Sequence, residues 1–209
     1  MITADSLDRG WATRHGLERD WSDLAGKPSL FLDRDGTVIE NVPYLNDPAQ
    51  VALVPGVRET IAAFRNSGYA VIVITNQSGV ARGLVSPEQY RAVEAAVIEA
   101  LGPGLIDATY ACPFLAQHPW RKPEPGMLLA AARDFGLHLA GSVMVGDTLA
   151  DMKAGAAAGV GMLRHVGTGH GGDERAAVKA WARELKSGHF SQLAFTASLS
   201  ELVPAEVSR

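Results

Sequence analysis

The chain has 209 residues, of which 47% are apolar and 20% are charged, and its net charge is −4. These values are typical of one soluble globular domain, and the acidic balance provides no global field that would draw the chain to nucleic acid or anionic lipid. The single cysteine, Cys112, excludes a disulfide within the chain and fits a reducing compartment.

The N-terminal segment, residues 1–28, is polar and carries no apolar core of the signal-peptide type. No run in the chain approaches the ~18 apolar residues that a membrane helix needs, so we expect a cytoplasmic protein with no membrane partner. Leu17, Trp21 and Leu24 have the spacing of a short amphipathic helix. We expect residues 1–28 to form an arm packed on a single domain of residues 29–209, with a flap over a site as the alternative.

From residue 29 onward, short apolar runs alternate with helical stretches. The runs are apolar on both faces, as in a parallel sheet covered by helices. They lie at 29–33, 70–74, 108–111, 142–145 and 161–163. Helices are expected near 56–65, after Ser86 as N-cap, and near 126–135, 149–158 and 174–186. This alternation predicts an α/β fold, a doubly wound, Rossmann-like parallel sheet with helices on both faces.

Polar side chains follow three of the predicted strands. Asp33 and Asp35 follow the first, Thr75 ends the second, and Asp147 follows the fourth. Ligands of such sheets bind beyond the carboxyl ends of the strands, where these side chains converge. A fifth residue, Lys122, precedes the third helix. Clustered carboxylates repel unless a cation lies among them, and oxygen ligands select Mg²⁺ over Zn²⁺. A lysine and a helix start beside that ion suit a phosphate, so the sequence predicts phosphoryl transfer.

Four motifs in order carry a resemblance to a known family. Asp33-x-Asp35-Gly36-Thr37, Thr75, Lys122 and Gly146-Asp147-x-x-x-Asp151 resemble the motifs of the haloacid-dehalogenase (HAD) superfamily of phosphatases. The stretches DRDGT, TNQSGVARG, RKPEPGM and GDTLADM are similar to the branch that contains the bacterial heptose bisphosphate phosphatases and the histidinol-phosphatases. The resemblance covers residues 29–166.

The resemblance implies roles for these residues. Asp33 would attack phosphorus, and Asp35 would protonate the leaving oxygen and then deprotonate water. Thr75 would bind the transferring group, and Lys122 would pair with it. Mg²⁺ would be held by Asp33, Asp147 and the backbone carbonyl of Asp35. Asp151 is either a supporting acid or a residue of the helix surface.

Substrate contacts are expected from polar residues near the motifs: Asn76, Gln77, Ser78, Arg82 and Arg121. For Arg82, an ion pair that closes its loop is the alternative. Arg34 alternates away from the two aspartates and is assigned no catalytic role. His165, His170 and the stretch 167–172 are expected to be surface loop.

The spacing of the motifs leaves no room for a mobile cap domain. Residues 36–55 are too few for a folded unit of about 60 residues, and about half of 76–121 is needed for a helix and a strand, so a capless enzyme is predicted. The heptose phosphatases that the chain resembles usually hold a structural Zn²⁺ through three cysteines and a histidine, but here only Cys112 and His118 remain. Two ligands do not close a tetrahedral site, so no structural Zn²⁺ is expected, and Phe114 and Trp120 are expected to order the loop.

The leading hypothesis is a Mg²⁺-dependent phosphomonoesterase that acts on a small phosphorylated metabolite, a sugar phosphate such as heptose bisphosphate, as a monomer or small homo-oligomer. Histidinol phosphate and a nucleic-acid 3′-phosphate are alternative substrates. The acidic total argues against nucleic acid, because a polymer requires a basic track. A binding protein on a retired phosphatase scaffold is the non-enzymatic alternative.

Overall fold

The computed structural model describes residues 10–16, 20–115, 117–184 and 192–204. A seven-stranded sheet runs through them in the order β1-β4-β3-β2-β5-β6-β7. Its strands are β1 (Trp11–Arg14), β2 (Ser29–Leu32), β3 (Ala70–Asn76), β4 (Ala108–Cys112), β5 (Val143–Gly146), β6 (Met162–His165) and β7 (Gln192–Phe195).

Six α-helices connect or follow the strands within the described residues. They are α1 (Val57–Asn66), α2 (Ser78–Ala81), α3 (Pro87–Leu101), α4 (Gly126–Phe135), α5 (Leu149–Ala158) and α6 (Gly171–Glu184). Ser86 caps α3, as predicted, in a capping box with Gln89. The last predicted helix begins three residues earlier than expected, and its expected residues 185–186 lie outside the described residues.

All neighbouring strands are parallel except β1, which pairs antiparallel with β4. The chain proceeds outward from β2 through β3 to β4 and then returns to β5 on the other side of β2. Beyond the carboxyl ends of β2, β3 and β5 this reversal opens the crevice in which doubly wound sheets bind ligands. The predicted α/β fold with a mostly parallel sheet is confirmed.

The sheet separates two apolar layers. Leu30 and Leu32 face the layer that contains α1 and α3, and Phe31 faces the layer that contains α4, α5 and α6. This alternation follows from the period of two in a strand. Because both faces of β2 are buried, the positions at which the strand ends are fixed by the core.

The two edge strands were not predicted. β1 exposes three of its four residues, and the side chains of β7 are exposed or only partly buried, so neither strand has the two-sided apolar run of the central strands. The predicted amphipathic helix in the arm is represented by a short 3₁₀ helix at Trp21–Leu24, while Leu17 lies outside the described residues. The division of the chain at residue 28 stays a prediction.

The described residues between the motifs contain no folded cap. Residues 36–55 form loops and the 3₁₀ helix Pro48–Gln50, and 77–121 contain α2, α3 and β4. In the part of the chain that the structure describes, no helix combines the length and the apolar character needed to span a bilayer.

Candidate active site

The end of β2 delivers two carboxylates to the carboxyl edge of the sheet. The Asp33 amide still donates to the carbonyl of Val145 at 2.9 Å, so the backbone at Asp33 remains fixed to β5. Immediately beyond it the chain turns, since the carbonyl of Arg34 accepts from the amides of residues 37–39. This turn leaves the Asp33 side chain buried and the Asp35 side chain partly exposed.

Lys122 reaches this edge from the loop that precedes α4. Its ammonium lies 2.5 Å from Oδ1 of Asp33 and 2.6 Å from Oδ1 of Asp151, and it donates to the carbonyl of Ile74 at 2.8 Å. All three donors of the lysine therefore have a partner. The lysine holds the end of β2, the end of β3 and the start of α5 together.

Asn76 holds the backbone of Lys122. Its Nδ2 donates to the Lys122 carbonyl at 3.0 Å, and its Oδ1 accepts from the Lys122 amide at 3.1 Å. The amide was predicted to contact substrate. The structure commits both polar atoms of the side chain to the loop, so Asn76 orients the lysine, and its contact with substrate stays a prediction.

A cluster of three carboxylates lies beside the lysine. Oxygen atoms of Asp33, Asp147 and Asp151 lie within 4.8 Å of one another, and all three residues are buried. Oδ2 of Asp147 accepts from the amide of His170 at 2.7 Å, while its Oδ1 is buried without a hydrogen-bond partner in the described part of the chain. Asp151 is 1% exposed, so the interpretation as a helix-surface residue is wrong.

The charges of this cluster do not balance. Burial raises the pKa of Asp33 well above its ordinary value; Lys122 opposes the shift, and Asp151 and Asp147 add to it. Burial, together with the charge of Asp151, raises the pKa of Asp147 to about 6. Burial lowers the pKa of Lys122, but Asp151 and Asp33 outweigh it and the pKa rises. One lysine against three carboxylates leaves an excess of negative charge that a divalent cation would offset.

The residues present fit Mg²⁺. The donors are all carboxylate oxygens, which a hard cation prefers, and the buried Oδ1 of Asp147 has no other partner to lose. The carboxylate of Asp35 is not part of the cluster, and the role of its backbone carbonyl toward the ion stays a prediction.

Asp35 faces a separate set of donors. Arg34 donates to it twice, from Nε to Oδ2 at 3.2 Å and from Nη2 to Oδ1 at 3.0 Å. Gln77 donates to Oδ2 at 2.8 Å, and the hydroxyl of Thr75 lies 3.4 Å from the same atom. The prediction that Arg34 points away from the aspartates is wrong, because β2 ends at Leu32 and strand alternation no longer applies beyond it.

The elements that carry these side chains also lie within a region that matches a known protein family. A family model described as haloacid dehalogenase-like hydrolase matches residues 11–159, well over half of the chain. The chain belongs to this family. The predicted superfamily and the predicted phosphatase class are confirmed.

Three proteins illustrate the similarity of this HAD phosphatase to its relatives. A D-glycero-beta-D-manno-heptose-1,7-bisphosphate 7-phosphatase from Mesorhizobium japonicum is 42% identical over 64% of this chain and 66% of its own, just under two thirds of its length. The enzyme of the same name from Vibrio cholerae is 38% identical over 68% of this chain and 83% of its own. The structure of D,D-heptose 1.7-bisphosphate phosphatase from B. bronchiseptica, complexed with magnesium and phosphate, has a TM-score of 0.71 and 32% identity, covering 83% of this chain and 94% of that one.

A pocket of about 240 Å³ opens beside Asp35 in this HAD phosphatase. Gln77, Ser78 and Asn76 line it, as does the loop Asn41–Leu45. Of the predicted substrate contacts, Asn76, Gln77 and Ser78 therefore lie on the pocket wall, and their contact with substrate stays a prediction. The amide of Gln77 is already shared between Asp35 and the hydroxyl of Thr75, at 2.8 and 2.9 Å.

The two predicted arginine contacts lie outside the pocket wall. Arg82 is exposed at the end of α2, and no ion pair closes its loop within the described residues. Arg121 donates to the carbonyl of Phe114 at 3.2 Å and so braces its own loop. Their role toward substrate stays a prediction.

The segment 167–172 was expected to be surface loop. Residues 167–170 form a partly exposed loop that also contacts the site, whereas residues 171 and 172 begin α6. The hydroxyl of Thr168 donates to the carbonyl of Gly36 at 2.5 Å, and the amide of His170 donates to Asp147. Nε2 of His170 lies 2.9 Å from Nδ2 of Asn41, and both residues line the pocket. His165 is buried in β6 rather than in a loop. Residues 167–170 follow closely after the core strand β6, and this position was the signal that could have placed them beside the site.

Aromatic packing orders the loop after β4. The ring of His118 stacks on Phe114 at 4.2 Å, and its Nδ1 accepts from the amide of Trp120 at 3.1 Å. Trp120 packs against Tyr110 at 5.7 Å. His118 is therefore engaged within the loop. The absence of a structural Zn²⁺ from this loop stays a prediction.

Proposed function

We propose that this chain is a Mg²⁺-dependent phosphatase that removes the 7-phosphate of a D-glycero-D-manno-heptose 1,7-bisphosphate. The observation that carries the chemistry is the buried Asp33, held by Lys122 at 2.5 Å inside a cluster of three carboxylates. The substrate is proposed from the relatives that bear this name, which are 36–42% identical to the chain.

The reaction proceeds in two steps, transfer of the phosphoryl group to Asp33 and hydrolysis of the phosphorylated enzyme. An oxygen of Asp33 attacks phosphorus, the bond from phosphorus to the sugar oxygen breaks, and Asp35 gives its proton to that oxygen. Water then attacks the phosphorus, Asp35 takes the proton of the water, and the bond to Asp33 breaks to release phosphate. Asp35 thus alternates between general acid and general base.

The neighbouring residues support these steps. Lys122 holds one oxygen of Asp33 and pairs with the charge of the transferring group, while Thr75 offers a hydroxyl to the same group. Asp33, Asp147 and the backbone carbonyl of Asp35 would hold Mg²⁺, with Asp151 anchoring Lys122 behind them. When bound, the ion supplies positive charge that offsets the carboxylates and the substrate phosphate.

The open pocket suits a small polar ester. About 240 Å³ without a cap gives room for one sugar but buries little apolar surface. A polymer would need a basic track beside the site. Of the cationic groups there, Arg34 and Lys122 are buried and paired with carboxylates. We therefore treat the nucleic-acid 3′-phosphate as a control substrate. Histidinol phosphate, the other alternative, is tested beside it.

The substrate is tested by phosphate release from both anomers of the heptose bisphosphate, from histidinol phosphate and from a 3′-phosphorylated oligonucleotide, each with Mg²⁺ or with EDTA. We expect kcat/KM for one heptose anomer to exceed kcat/KM for every other substrate at least tenfold. A tenfold preference corresponds to about 1.4 kcal/mol of discrimination. Phosphorus NMR should show heptose 1-phosphate as the product. A preference for histidinol phosphate or the oligonucleotide, or release of the 1-phosphate, would refute the proposed substrate.

A further inference from the structure

Arg34 is a buried cation that lies between Asp33 and Asp35 in the sequence and contacts Asp35 in the structure. Its side chain is 3% exposed, and it grips the Asp35 carboxylate with two hydrogen bonds, one to each oxygen. A guanidinium matches a carboxylate in this fork-like manner, which fixes the plane of the carboxylate as well as its distance.

The packing of the fold fixes Arg34 itself. Its guanidinium lies over the ring of Tyr90 at 5.8 Å, and Tyr90 packs on Trp11 at 4.9 Å. Both aromatic residues are buried. The edge strand β1 and the helix α3 therefore support the arginine through these two rings, while Arg34 itself forms part of the pocket wall.

Stability alone does not account for this arrangement. Burying a guanidinium costs several kcal/mol, and a well-packed apolar residue often stabilises such a position as well or better. Nη1 of Arg34 is buried without a hydrogen-bond partner in the described residues, which adds to the cost. What the arginine secures is the orientation of one carboxylate.

We propose that Arg34 is a positioning residue, which acts through Asp35 by holding its carboxylate in one place for both proton transfers. This inference rests on the proposed function, in which Asp35 must meet the sugar oxygen in the first step and water in the second. Gln77 provides a second, single hydrogen bond to the same carboxylate at 2.8 Å. The fork of Arg34, not its charge alone, is the feature that the proposal requires.

The test compares first turnovers of Arg34→Gln on two leaving groups by rapid quench. The leaving group of 4-nitrophenyl phosphate needs no proton, whereas the alcohol of a sugar phosphate does. We expect the first turnover on the sugar phosphate to fall at least about tenfold, since a positioned acid contributes 10²–10⁴-fold. The first turnover on the aryl ester should stay within about threefold of wild type, followed by a slow steady state because water activation is impaired. The aryl ester should therefore show a burst of nitrophenolate.

Arg65→Gln is the matched control. Arg65 also pairs with a buried carboxylate, Asp107, at 2.8 Å, but at the opposite end of the sheet. We expect this variant to lose stability and to keep the wild-type ratio of the two first turnovers. Arg34→Lys keeps the charge and loses the fork, so it should reproduce the altered ratio, and it carries the test if Arg34→Gln does not fold.

Equal losses on both esters in the Arg34 variants, or a wild-type ratio in Arg34→Lys, would overturn the proposal. Failure of the proposed chemistry is a distinct result, because wild-type protein would then form no phosphate from either ester, whereas a different preferred substrate leaves the comparison of the two first turnovers intact.

Discussion

At the scale of residues, Asp33 and Asp35 lie one residue apart but face different partners. Asp33 belongs to the cluster with Lys122, whereas Asp35 faces Arg34 and Gln77. The motif predicted that both aspartates reach one edge of the sheet, which they do. It could not predict the contacts of Arg34, because these depend on the turn that follows Leu32 and not on strand periodicity.

Gly36 offers a test of this turn. Its φ is +88°, and a Cβ there would lie 2.5 Å from Oδ2 of Asp147 and 2.9 Å from the Cα of Gly169. We expect Gly36→Ala to abolish Mg²⁺-dependent phosphate release and to lower the free energy of unfolding by more than the 1–2 kcal/mol or so that a left-handed alanine costs.

Gly159→Ala is the matched control for this substitution. Gly159 has a φ of +81°, and nothing lies within 4 Å of its Cβ position. The free energy of unfolding of Gly159→Ala should fall only by the cost of a left-handed alanine, and the variant should keep its activity. If urea denaturation showed the same loss for both variants and Gly36→Ala remained active, the crowding around Asp147 would have no functional consequence.

At the scale of elements, the central strands could be predicted because each carries a short apolar run and is buried on both faces. β1 and β7 lie at the edges, where one side meets solvent and the apolar signal is lost. The N-cap of α3 could be predicted because Ser86 and Pro87 are local signals. At α5, Asp151 makes both a local contact, the capping box with Thr148, and a distant one, the ion pair with Lys122. The distant contact has no local signal in the sequence.

The start of α5 yields the prediction for this scale. Thr148 caps the helix, and Asp151 completes the capping box while also pairing with Lys122. We expect Thr148→Ala to lower the free energy of unfolding by about 1 kcal/mol and to retain activity. Asp151→Ala should cost about 3 kcal/mol, since it removes one partner of a buried ion pair, and should reduce kcat at least tenfold.

Urea denaturation and steady-state kinetics of both variants check this prediction. Equal destabilisation, with kcat preserved in Asp151→Ala, would show that Asp151 serves only as a helix cap.

At the scale of the whole molecule, the site exists because the chain reverses direction at β2. Segments after β2, before α4 and after β5 meet there although they are far apart in sequence. Their convergence follows from the fold class and could be predicted. The pocket could not, since its wall includes loop residues such as Asn41–Leu45 and His170, whose conformations no periodicity encodes.

The excess charge of the carboxylate cluster predicts a large effect of Mg²⁺ on stability. At a concentration about 100 times its Kd, the ion should stabilise the protein by about 2.7 kcal/mol. For a domain of this size, this corresponds to a rise in Tm of about 5–10 °C. Asp147→Asn should lose this rise. Its Tm without Mg²⁺ should not fall below that of wild type, because the substitution removes a repelling charge from the cluster.

Differential scanning calorimetry with Mg²⁺ and with EDTA measures the effect, and the exposed Glu59→Gln serves as the control. A full Mg²⁺-induced rise in Asp147→Asn would place the ion elsewhere.

The central claim is that Asp33 carries the phosphoryl group. The direct measurement is mass spectrometry of acid-quenched enzyme after mixing with 4-nitrophenyl phosphate and Mg²⁺, with phosphate release followed in parallel. The account predicts a phosphoryl group on the peptide that contains Asp33 in the wild type. In Asp33→Asn it predicts none, with turnover reduced at least about a thousandfold. Turnover of Asp33→Asn within about tenfold of wild type would contradict the account, because a group that attacks phosphorus cannot be replaced by an amide at so small a loss.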